Sequence, residues 1–109
     1  MKETVKKHEA LIKFLVYADS SQQKVVIKSL TGEQYDVISE IALNIYTGTY
    51  PLPKKDIKQL KPYESYIRSL GSREVSTREK RRILLKHIHL ISLLLKPIVR
   101  IFKGKWQRK

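Results

Sequence analysis

Residues 77–103, TREKRRILLKHIHLISLLLKPIVRIFK, decide the fold of this chain. Ser76 and Glu79 at their start have the S-x-x-E spacing in which each side chain satisfies a backbone N–H left open at a helix N-terminus. Arg82, Lys86, His89, Ser92, Lys96, Arg100 and Lys103 recur at steps of three or four, so on a helix they form one polar, mainly cationic stripe. Ile83, Leu84, Ile91, Leu94, Ile98 and their apolar neighbours fill the remaining circumference. The run reads as one long basic amphipathic helix from Thr77 to Lys103, bent at Pro97, where a backbone hydrogen bond is lost. So much apolar surface demands cover, and three partners fit: the other helices of the chain, a second copy, or the interfacial region of a bilayer.

Working outward, the other segments carry the same helical signature. Val5, His8, Leu11, Ile12, Leu15 and Val16 mark a helix over residues 3–17. Ser20 with Gln23 has capping-box spacing for a short helix ending near Leu30, and Thr31 with Gln34 repeats it ahead of Tyr35, Ile38, Ile41, Ala42 and Ile45. Gly48 is a natural stop. Pro53 suits a first helical position before Ile57, Leu60, Ile67 and Leu70, Pro62 predicts a kink or split, and Gly71 closes the element. With no period-two alternation and no hairpin turn, the chain is expected to be all-α: a small single-domain bundle of about five helices over residues 1–103, then a basic flexible tail over 104–109.

Charge points to the partner class. The chain has 23 Lys and Arg against 10 Asp and Glu, a formal charge of +13. Residues 1–71 hold 11 basic and 8 acidic side chains, whereas residues 72–109 hold 12 and 2, so the excess sits in the C-terminal third. Such a balance favours nucleic acid or an anionic membrane surface as partner. The candidate phosphate contacts are Arg73, Arg78, Lys80, Arg81, Arg82 and Lys86, followed by Lys103, Lys105, Arg108 and Lys109 around Trp106. Trp106 suits stacking on a base, a place at a membrane interface, or docking of the tail onto the domain.

The absence of cysteine excludes disulfides and thiolate metal sites. His87 and His89, two apart on a helix, point to different sides and do not make a joint metal site, and His8 lies on an apolar stripe. No phosphate-cradling glycine loop, nucleophile elbow or H-E-x-x-H is present, so the expectation is a non-enzymatic protein without cofactor or metal. Met1 is followed by charged residues rather than a continuous apolar run, which reads as an intracellular chain. No uncharged stretch approaches the roughly 20 residues of a membrane span. No recognition helix, zinc finger or basic zipper is visible, which favours nonspecific backbone binding.

The arrangement of Leu11-Ile12-Lys13-Phe14-Leu15, Ile41-Ala42-Leu43-Asn44-Ile45 with Gly48 and Pro51-Leu52, then Leu60, Tyr63, Ile67, Leu70, Val75-Ser76 and Lys80-Arg81-Arg82-Ile83-Leu84-Leu85 resembles short basic proteins of Maverick or polinton-type elements and adintovirus-like viruses. Those chains are compared with the small basic core protein of adenoviruses. The resemblance implies a virion or host-nuclear protein that packs DNA, with DNA favoured over RNA. Past Leu85 this chain has Lys86-His87-Ile88-His89 where such chains have a glycine pair. The alternatives are a membrane-associated protein acting through its C-terminal helix, and a helical interaction module or homo-oligomer joined by that helix's apolar face.

Overall fold

A computed structural model describes residues 2–104, and these are all-helical apart from turns and short connections. The helices are α1 (Glu3–Lys7), α2 (Glu9–Tyr17), α3 (Ser20–Ser29), α4 (Gly32–Tyr46), α5 (Lys54–Leu60), α6 (Glu64–Gly71), α7 (Thr77–Lys86) and α8 (His89–Phe102), with a 3-10 turn at Lys61–Tyr63 between α5 and α6. The radius of gyration is 12.9 Å.

The expected five helices become eight because three of them break. The first breaks at His8, whose backbone (φ −106°, ψ 25°) leaves the helical region while its Nδ1 contacts the carbonyl of Thr4 at 2.9 Å. The break lets α1 pack on α4 while α2 packs along α8. The second break is the split expected at Pro62. The third divides the long C-terminal helix at His87 (φ −122°, ψ 63°), so α7 ends there and α8 restarts with Leu90 N–H donating to the His87 carbonyl at 2.9 Å. The single basic helix of residues 77–103 is therefore a correction: α7 packs against α3 and α6, α8 against α2 and α5, and one straight rod does not reach both sets.

Capping follows local chemistry. Thr31 and Gln34 form the expected reciprocal box, at 3.2 and 2.8 Å. The box on α3 sits one residue earlier than expected: Asp19 accepts from Gln22 N–H at 2.9 Å, and Gln22 Oε1 accepts from Asp19 N–H at 3.1 Å. Aspartate is a strong N-cap because its carboxylate accepts from the open N–H groups. Pro53 lies just outside α5 as its N-cap residue instead of at the first helical position. Ser76 caps α7 through Glu79 N–H at 3.1 Å, but the Glu79 carboxylate turns to Arg82 instead of completing the box. Gly48 has φ +78°, the left-handed conformation that ends α4 without a Cβ penalty. Gly71 serves another purpose, since a Cβ there would sit 2.9 Å from the backbone N and Cα of Leu43, and its absence lets α6 close on α4.

The core is one cluster in which α4 and α8 supply half of the buried side chains. Leu90, Ile91, Leu94, Leu95, Ile98 and Val99 of α8 are all buried, so the apolar side of α8 is covered within the domain. Each such residue contributes about 1.5–3 kcal/mol through removal of apolar surface from water. Gln23, displaced from its expected capping role, is buried and donates from Nε2 to the Leu15 carbonyl at 2.6 Å and to Ser92 Oγ at 3.3 Å, joining α2, α3 and α8.

Candidate polyanion-binding surface

The cations of α7 divide into those that face solvent and those that hold the fold. Lys80 is buried, and its Nζ donates to Ser39 Oγ of α4 at 2.7 Å. Burial pushes its pKa down, with the Asp36 carboxylate partly opposing the shift. Arg81 lies over the Tyr35 ring, 5.4 Å from its centroid, and its Nε donates to the Tyr35 hydroxyl at 3.2 Å. That hydroxyl in turn donates to the Ile27 carbonyl at 2.6 Å, so Arg81, Tyr35 and Ile27 link α7, α4 and α3 in one relay. Burial pushes the Tyr35 phenol up, against a smaller opposing effect of Arg81. Arg82 grips both oxygens of Glu79 and holds that carboxyl below its ordinary range.

Arg73, Arg78 and Lys86 are exposed and have no ion-pair partner among the described residues. Arg78 and Lys86 stand at opposite ends of α7, whereas Arg73, in the connection before it, borders a groove of about 620 Å³ whose α4 wall carries Glu33, Asp36 and Glu40. Lys103, at the end of α8, donates to the Tyr17 hydroxyl at 3.0 Å and lies 5.7 Å from that ring's centroid. Lys105, Trp106, Arg108 and Lys109 lie outside the described residues.

The structure also brings forward a cationic element that the sequence reading passed over. Lys54, Lys55, Lys58 and Lys61 are exposed along α5 and the 3-10 turn, with no carboxylate partner among the described residues. Arg100 binds Asp56 at one end of this segment, and the Tyr63 hydroxyl meets His89 Nε2 at the other. The segment therefore runs antiparallel to α8, on which the exposed Lys96 lies in sequence between His89 and Arg100. The signal was present as four lysines in eight residues, masked by averaging over residues 1–71, whose acids Glu33, Asp36 and Glu40 lie instead beside the groove on α4.

His87 and His89 were expected to diverge, but the break between α7 and α8 brings both against Tyr63, with ring centroids 6.2 and 5.1 Å away. His87 also packs on Tyr66 at 4.3 Å, and its Nε2 is buried without a hydrogen-bond partner among the described residues. Among the described residues no group of three His, Cys, Asp or Glu side chains is placed to hold a metal ion, and no helix is long and apolar enough to cross a membrane. No family model, no curated protein and no solved structure matches this chain.

Proposed function

We propose that the protein binds nucleic acid, DNA ahead of RNA, through the phosphate backbone and without strong sequence preference. The observation that carries this reading is the state of its cations. Among the described residues only Lys2, Lys7, Lys13, Arg82 and Arg100 of the lysines and arginines contact a carboxylate. A surface so weakly neutralised by its own acids attracts a polyanion and gains from counterion release. Arg78 and Lys86 of α7, with Arg73 in the connection before it, are the exposed contacts. Lys80, buried on Ser39, reaches a phosphate only by giving up that hydroxyl, whereas Arg81 is held on Tyr35 through Nε alone. The family resemblance would place this binding in genome packaging, in a virion or a host nucleus. Insertion of the C-terminal helix into a membrane surface would require the bundle to open, because α8 already covers the core.

The test is affinity for random-sequence duplex DNA across a salt series. Tight binding is expected, with a slope of log K against log salt that falls by about 0.9 for each phosphate contact removed. Arg73→Gln, Arg78→Gln and Lys86→Gln together should flatten that slope without altering the fold. Negligible binding near physiological salt would sink the reading.

A further inference from the structure

A second recognition surface lies beside α5. The end of α4, the Gly48 turn and α5 enclose an open pocket of about 200 Å³. Its floor is apolar, formed by Tyr50, Leu60 and Ile67, all buried. At its mouth stand Ile57, 53 % exposed, and Tyr46, 42 % exposed, two of the larger apolar surfaces that the chain leaves in water. Apolar groups in a concave site are covered when they meet a complementary side chain, and such pockets are where binding energy concentrates in protein interfaces.

Size and charge together select the occupant. An apolar cavity of about 150 Å³ takes up benzene, so this pocket accepts one large apolar side chain, whereas pockets for cofactor-sized ligands run from about 300 Å³. Lys54, Lys58 and Lys61 follow Ile57's own segment at steps of four and three, share one exposed face beside the pocket, and lack carboxylate partners among the described residues. Lys61 also lines the pocket itself, as does Glu64. Asp56, the acid within α5, is engaged by Arg100. A second copy of a chain with charge +13 is repelled from such a surface. A flat bilayer does not enter a concave site whose apolar floor is recessed.

We infer that the pocket between α4 and α5 docks an acidic protein segment, which inserts one large apolar or aromatic side chain between Tyr46 and Ile57 while its carboxylates meet Lys54, Lys58 and Lys61. This inference does not depend on nucleic-acid binding. It gives the protein two kinds of partner on two surfaces: phosphates around α7, and an acidic protein at α5.

The test titrates the full chain into fluorescein-labelled acidic peptides, one with a central phenylalanine and one with alanine in its place, followed by anisotropy. Phenylalanine is expected to tighten binding about ten-fold or more. Tyr46→Ser combined with Ile57→Ser should abolish that preference while leaving the alanine peptide and duplex DNA bound as before. Both side chains are exposed, so circular dichroism should be unchanged, and the two-peptide comparison on the unaltered chain stands without any variant. Equal affinity for the two peptides, absence of peptide binding, or a preference that survives the double substitution overturns the inference. So does a double variant that loses binding to phosphatidylserine vesicles, or one that dissolves a dimer seen by sedimentation, since either outcome assigns the pocket to a membrane or a second copy. Loss of DNA binding with the phenylalanine preference intact would remove the function proposed above and leave this one standing.

Discussion

Helices α7 and α5 carry similar densities of positive charge and use it in opposite ways. In α7, Lys80 reaches into the fold toward Ser39, Arg81 stacks on Tyr35, and Arg82 is held by Glu79. In α5, the lysines stand outside the fold, while Leu60 enters the core and Asp56 pairs with Arg100 of α8. Clustering along the chain therefore does not measure charge available to a partner. What decides availability is whether the neighbouring helices offer oxygen atoms or aromatic faces, and α4 offers both to α7.

The sharpest way to break this comparison is to strip each helix in turn. Lys80→Ala with Arg81→Ala is expected to lower the unfolding free energy by about 2–4 kcal/mol in urea titrations, because a buried stem, a hydrogen bond to Ser39 and the Tyr35 contact all disappear. Lys54→Gln with Lys58→Gln should change it by less than about 0.5 kcal/mol, as expected for surface substitutions. Equal losses would erase the distinction.

A smaller effect comes from Tyr35→Phe, which removes the hydroxyl shared by Arg81 and Ile27 while keeping the ring. It should cost about 1–2 kcal/mol in the same titration, since a carbonyl and a guanidinium lose their common partner. Glu79→Gln acts on the boundary between the two kinds of cation. It releases Arg82 and is expected to tighten duplex DNA binding by about two- to three-fold at low salt, with a steeper salt slope. An unchanged slope would mean that Arg82 does not face the duplex.

The smallest expected effect is a pH dependence that Lys80 gives to α7. Burial lowers the Lys80 pKa, so between that lowered value and the ordinary lysine value of about 10.4 the unfolded chain binds more protons than the folded one. Stability contributed by this group therefore rises with pH through that window. Urea midpoints measured across it should rise less in Lys80→Met than in the unaltered chain.

What could be read from the sequence was local in origin. Thr31 with Gln34, the stop at Gly48 and the split at Pro62 depend on residues within one turn of each other, and each appears where the chain chemistry puts it. The breaks at His8 and His87 carry neither glycine nor proline. They arise because adjacent segments pack against different helices, which periodicity along the chain does not encode. The same holds for Gly71, whose value lies in the approach of Leu43 across a helix interface. In the candidate site, Arg73, Arg78 and Lys86 were legible as exposed cations. The burial of Lys80 was not, because the α4 hydroxyl that receives it is 41 residues away.

The amide of Gln23 has a further consequence for how the chain acquires its shape. It binds the Leu15 carbonyl and also Ser92, which lies 69 residues beyond Gln23 in the chain, in the region where α2 lies along α8. Helix α2 thus has its principal partner in α8, and Ile12 and Leu15 stay uncovered until α8 has emerged. Long-range closure of this kind slows folding relative to a bundle of sequential hairpins and makes acquisition of the native state a single late event. A nascent chain stopped before Ser92 would expose the inner face of α2 to proteases, and protection should appear abruptly once α8 is available to pack.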